Sequence, residues 1–136
     1  MQIRELNLKE LESIYCVLSQ LYVSLSYDEF EDLVYDMRHV DYKMFGIMNG
    51  EILITYAGVV IGTNFYHKRH LVVFDFITDE KYEADRYGIM MLDYLKDYAK
   101  MAMCEKIVIQ NYFSKNDEVY KKNGFEKLNG EFVKTI

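Results

Sequence analysis

"VVFDFITDEKYEADRYGIMMLDYLKDYAK" fills residues 72–100 and contains a change of periodicity. Its opening, "VVFDFIT", is rich in Val, Ile and Phe and reads as a strand, with one acid, Asp75, in the middle. From Gly88 onward the apolar residues fall at 89, 91, 92, 95, 98, 99 and 102, the spacing of one helix face. A polar loop joins the two. The next apolar run, "KIVIQNYF" (106–113), is again a strand. Strand, helix and strand in this order imply a right-handed crossover between parallel strands. The strand–loop–helix half is also a common cradle for a phosphorylated ligand, because a helix N-terminus offers N–H groups and a positive dipole end. Here Glu83 and Asp85 set carboxylates where an anion would lie, and Gly88 is the loop's single glycine.

Working outward, "MQIREL" alternates and reads as a first strand. Residues 7–25 follow with Asn7 as a cap and Leu8, Leu11, Ile14, Tyr15, Leu18, Leu21 and Tyr22 at helical spacing. A second helix over 26–40 opens on Ser26, with Glu29 completing a capping box. "YKMFGIM" and "EILITYAGVVIG" are strands joined at Asn49-Gly50, a strong hairpin signal. "SKNDEVYKKNG" (114–124) reads as a short helix opened by Ser114 and closed by Gly124. "FEKLNGEFVKTI" is a terminal hairpin turning at Asn129-Gly130. The order is β-α-α-β-β-β-α-β-α-β-β: an α/β chain with a mixed sheet, in one domain over 1–136.

Composition sets the bounds. Of 136 residues 51% are apolar, enough for a full core. The formal charge of −6 argues against nucleic acid as a partner, since binding a phosphate backbone needs clustered Lys and Arg. No apolar run reaches the length of a membrane span, and the start lacks a signal-peptide core. Cys16 and Cys104 read as free, buried thiols, so a reducing, cytoplasmic setting is expected. His67 and His70 flank Lys68-Arg69 with no Cys or acid cluster beside them, so no metal site is expected.

The order and three stretches resemble the GNAT superfamily of acyl-coenzyme A N-acyltransferases. Residues 72–100 line up without gaps against that family's strand, pyrophosphate loop and helix. Its motif, Arg/Gln-x-x-Gly-x-Gly/Ala, then falls with Glu83 at Arg/Gln, Arg86 at the first Gly and Gly88 at the last. "CEKIVIQNYFSKNDEVYKKNGFEK" (104–127) is similar to the family's fifth strand, short helix and Y-x-K-x-G-F ending, here Tyr120, Lys122, Gly124 and Phe125. "MFGIMNGEILITYAGVVI" (44–61) is similar to the hairpin before the fourth strand.

The resemblance implies acetyl-coenzyme A as co-substrate and a primary amine as acceptor, either a small molecule or a lysine. It implies that the backbone of Phe76, Ile77 and Thr78 pairs with the pantetheine arm, with Asn111 and Asn116 as polar contacts. Glu83, Ala84, Asp85, Arg86, Tyr87, Gly88 and Ile89 then surround the diphosphate, with Arg86 standing in for the missing Arg. Tyr120 takes the place of the general acid; the other reading is a helical Tyr packing its ring on the sheet. Asp75 is either the base that receives the amine proton or a hydrogen-bonded structural carboxylate. The departures at 83 and 86 leave a second function open, a non-catalytic coenzyme A-binding or protein-interaction module on the same fold. "EFVKTI" (131–136) reads as an edge strand through which a homodimer would pair.

Overall fold

The computed structural model describes residues 1–110 and 116–136. The strands are β1 (Gln2–Glu5), β2 (Lys43–Asn49), β3 (Ile52–Asn64), β4 (Lys68–Thr78), β5 (Lys106–Gln110), β6 (Glu126–Leu128) and β7 (Glu131–Thr135). The helices are α1 (Leu11–Leu18), α2 (Tyr27–Met37), α3 (Ala84–Met101) and α4 (Asp117–Lys122). Their order along the chain is the one the periodicity predicts.

One seven-stranded sheet runs β1-β2-β3-β4-β5-β7-β6. Among the described residues only β4 and β5 are parallel, joined by α3, as the crossover requires; every other pairing there is antiparallel. The terminal strand does not form the edge. β7 lies between β5 and β6, pairing Lys106–Gln110 on one side and Glu126–Leu128 on the other. The tight turn at Asn129 and Gly130, both at positive φ, places the exposed β6 outermost. This removes the expected pairing edge at residues 131–136.

Each face of the sheet carries its own apolar core. On one face Leu71, Val73, Phe76, Ile107 and Ile109 meet Met91, Leu92 and Leu95 of α3. On the other Met44, Tyr56, Val72 and Ile77 meet Leu11, Ile14 and Leu18 of α1 and Phe30 and Val34 of α2. The first two expected caps form, while α4 takes Asn116 as its N-cap, and Ser114, the expected opener, lies outside the described residues. Asn7 and Glu10 form a reciprocal capping box, and the Ser26 hydroxyl accepts from the Glu29 N–H at 3.2 Å.

The structure departs from the sequence reading in several places. α1 ends at Leu18, not near 25. Residues 19–25 continue as turns, with Gln20 N–H on Val17 C=O and Leu21 N–H on Leu18 C=O, and Val23 and Ser24 are weak helix formers there. α3 begins at Ala84 rather than Gly88. Its first turn, "ADRY", is polar and half solvated, so it carries no apolar period to read. Cys104 is buried but Cys16 is exposed, on the polar side of α1. His67 and His70 are both buried, with ring centroids 5.2 Å apart and Glu131 3.5 Å from His67 Nε2.

Candidate active site

Strand β4 is wider than its parallel neighbour. Its ladder with β5 runs from His70↔Lys106 to Val73↔Ile109 and stops, while its ladder with β3 continues to Thr55↔Thr78. From Phe74 on, no strand of the described residues pairs with that edge of β4. A bulge lies where the ladders part: Gly58 pairs Asp75 and Val59 pairs Val73, so Phe74 is an extra residue. Bulges bend a strand and steepen its twist, which opens the gap. In this stretch alternate residues turn their backbone groups to opposite edges. Asp79 N–H donates to Ile54 C=O on the β3 side, so Phe76 and Thr78 face the gap and Ile77 does not. Of the three expected arm-binding positions, then, two point their N–H and C=O groups into the opening. The Phe76 carbonyl accepts a hydrogen bond from Asn116 Nδ2 at 3.2 Å, across the gap. Asn111 lies outside the described residues.

The bulge also breaks the simple alternation of "VVFDFIT". Strict period two would put Val73, Asp75 and Ile77 on one face. The extra residue sends Val73 to the α3 side, while Asp75 and Ile77 face α1 and α2.

Asp75 is held by tyrosines. Tyr22 Oη donates to its Oδ1 at 2.5 Å, and Tyr42 Oη donates to its Oδ2 at 2.8 Å. Tyr42 and Tyr56 hydroxyls are 2.8 Å apart. Burial pushes the Asp75 carboxyl above the usual range, and the two tyrosine bonds pull it back down. Burial holds Tyr42 and Tyr56 protonated, reinforced by the carboxylate beside them. Tyr42 reaches Asp75 by lying across β3 at Gly58, where a Cβ would fall 1.5 Å from the Tyr42 hydroxyl. The sequence reading missed Tyr42 and Gly58. The available signal was a glycine in the middle of the strand "ITYAGVVIG", which marks a close approach. Tyr22 arrives from the turns after α1, which wall a pocket of about 530 Å³ floored by Asp75.

Tyr120 stands on the opposite face. Its ring is buried edge-on to Phe76 at 5.6 Å and tilted against Phe132 at 5.0 Å. Burial raises its hydroxyl well above the ordinary phenol range, and a hydrogen bond with the Asn116 side chain opposes that rise. The packing reading of Tyr120 is thus correct for the ring, while the hydroxyl is engaged with the side chain that spans the gap. Asp75 and Tyr120 are not brought into one cluster. They flank the splayed end of β4 from its two faces.

The loop after β4 is pinned and its helix end is open. Lys81 N–H and Gln20 Nε2 both donate to Asp79 Oδ1, and Glu80 N–H donates to Gln20 Oε1. Glu83 takes the N-cap position without a side-chain cap bond, so the N–H groups of Ala84, Asp85 and Arg86 begin α3 with no intrahelical acceptor. Asp85 pairs with Lys122 of α4 at 3.1 Å, which offsets its charge. Arg86 is exposed and lies over the Tyr87 ring. Gly88 is buried where α3 crosses α4; a Cβ there would lie 2.9 Å from Val119 Cγ1. Ile89, one residue on, is exposed.

No model of a known protein family matches this sequence. No curated protein matches it either. Solved structures do. A PaiA N-acetyltransferase from Thermoplasma acidophilum in complex with coenzyme A superposes with a TM-score of 0.73 at 17% identity, covering 99% of this chain and 98% of that one. Glucosamine-6-phosphate N-acetyltransferase from Arabidopsis thaliana gives 0.74 at 20% identity, over 94% and 92% of the two chains. The aminoglycoside 6'-N-acetyltransferase from Enterococcus faecium gives 0.76 at 12%, over 99% and 97%. The chain therefore has the fold of the GNAT acetyltransferases along its whole length.

Proposed function

We propose that the protein transfers an acetyl group from acetyl-coenzyme A to a primary amine by direct attack. The observation that carries this reading is the gap beside β4. A strand edge left unpaired among the described residues and an open helix N-terminus meet there, with Asp75 and Tyr120 on the two faces of β4, and a protein of the same fold solved in complex with coenzyme A supports that ligand class. Phe76 and Thr78 would pair with the pantetheine amides as a further strand would. The N–H groups of Ala84 to Arg86 and the Arg86 side chain would hold the diphosphate. The thioester is the chemistry that acetyl-coenzyme A supplies.

The protein's own part is proton management. Asp75, with both oxygens already accepting from tyrosines, receives the proton that the amine loses on bonding to the acyl carbon. The Phe76 N–H faces the gap and can donate to the acyl oxygen as charge grows on it. Tyr120 is fully protonated at neutral pH. Its raised pKa makes it a weaker acid than the departing thiol, so it serves the sulfur first as a hydrogen-bond donor, and a proton relayed through it returns from solvent.

The non-catalytic module remains the second reading, favoured by one observation: Glu83, an exposed carboxylate, stands at the N-cap position of α3, where a diphosphate would lie. Thiol release measured over a panel of primary amines, with mass detection of the acetylated product, separates the two. Amine-dependent release is expected. Coenzyme binding with no release on any amine would establish the module instead.

A further inference from the structure

The pocket over Asp75 has a chemistry of its own. It lies between α1, α2 and the face of β3 and β4, and its volume of about 530 Å³ suits a small molecule. Its walls are aliphatic and aromatic: Leu21, Phe30, Leu33, Val34 and Met37. Leu33 is 44% exposed and Val23 83% exposed at this pocket, apolar surface that the core does not need. At the floor, the hydroxyls of Tyr22, Tyr42 and Tyr56 are engaged with Asp75 or with each other. Among the described residues only Asp75 and Glu29 bring carboxylates to the lining, and Glu29 is exposed in the first turn of α2. The other acids of that helix, Asp28, Glu31, Asp32 and Asp36, are not part of the pocket.

We propose that the acceptor is a lipophilic primary amine: one ammonium group on a compact aliphatic or aromatic body, nitrogen at Asp75 and body against α1 and α2. This rests on the acetyl-transfer reading and narrows its substrate. A polyamine would carry further charges into an apolar cleft, where the described lining offers one further carboxylate, the exposed Glu29. An amino sugar would bring several hydroxyls, which also need partners when buried. A single ammonium meets the one carboxylate held at the tyrosine-lined floor, Asp75, and the remaining surface of an alkyl or phenyl group is what these walls stabilise.

The test is calorimetric titration of the whole protein, with and without coenzyme A present. The ligands are straight-chain amines from butylamine to octylamine, phenethylamine, 1-hexanol, spermidine and glucosamine. Affinity should rise about three- to four-fold per methylene. Hexylamine should bind at least ~10-fold more tightly than 1-hexanol, which lacks the charge that Asp75 pairs. Spermidine and glucosamine should bind at least ~10-fold more weakly than phenethylamine. Leu33→Asp, at a half-exposed position, should leave the melting curve intact and weaken octylamine by about five-fold or more. A flat methylene series, tighter binding of spermidine or glucosamine, or no amine binding in either condition would overturn the proposal. Coenzyme A is titrated separately, so the two readings can fail separately. A steep methylene series without coenzyme binding keeps the pocket's preference and removes acetyl transfer. Preferential acetylation of glucosamine or spermidine does the reverse.

Discussion

Asp75 shows how one position in the sequence came to have two readings. An acid inside "VVFDFIT" is costly to bury without a partner, so a partner or a purpose was legible. The partners were not, because Tyr22 lies 53 residues away and Tyr42 lies 33 away. The raised carboxyl has a consequence for stability. Its folded pKa lies above the unfolded one, so the unfolded chain ionises first as pH rises. Relative to Asp75→Asn, the wild type should be most stable below about pH 4, lose ground as pH climbs through the raised value, and level off above it. Urea unfolding of both proteins across pH 3–8 checks this, and a relative stability that instead grows with pH would reverse the sign. Tyr120 offers a cleaner substitution. Phe keeps the ring against Phe76 and Phe132 and removes only the hydroxyl. Tyr120→Phe should lower turnover on an accepted amine by at least ~10-fold. The fold should lose no more than about 1.5 kcal/mol. Equal turnover in the variant would leave Tyr120 a packing residue.

The helices and strands were readable in order because each carries its own period, two for the strands and 3.6 for the helices. What escaped was local. The bulge at Phe74 flips the face of every residue before it, and nothing in an apolar run marks one extra residue. The start of α3 was hidden because its first turn is polar, yet that turn holds the N–H groups on which the proposed diphosphate site depends. The structure also changes the electrostatics of this turn. Asp85 is paired with Lys122, so Glu83 is the acid left facing an incoming anion. Glu83→Arg should therefore tighten coenzyme A binding, by up to about thirty-fold if one repulsion of ~1 kcal/mol is removed and a comparable attraction gained. A calorimetric affinity no better than wild type would show that this side chain points away from the ligand. Gly88 is a packing position instead. Gly88→Val drives a branched side chain into Val119 and should destabilise the fold by about 1–3 kcal/mol. Thermal unfolding measures it, and an unchanged melting curve would mean that α3 and α4 separate at little cost.

Over the chain as a unit, seven strands separate two cores, and the splay of β4 from β5 is the place where the two faces communicate. Under the proposed chemistry, Asp75 and Tyr120 would serve one reaction without touching, each from its own side of β4. The resemblance in residues 72–100 and 104–127 was enough to anticipate this architecture, and the likeness to solved acetyltransferases at 10–20% identity shows how little sequence it needs. It did not anticipate β7 inside the sheet, because a terminal hairpin reads the same whichever strand lies outermost. Calorimetric titration of the purified protein with acetyl-coenzyme A asks whether the gap beside β4 is a coenzyme site at all. One saturable event per chain is expected, with a melting temperature that rises with ligand concentration. No heat and no shift at millimolar coenzyme would contradict the assignment.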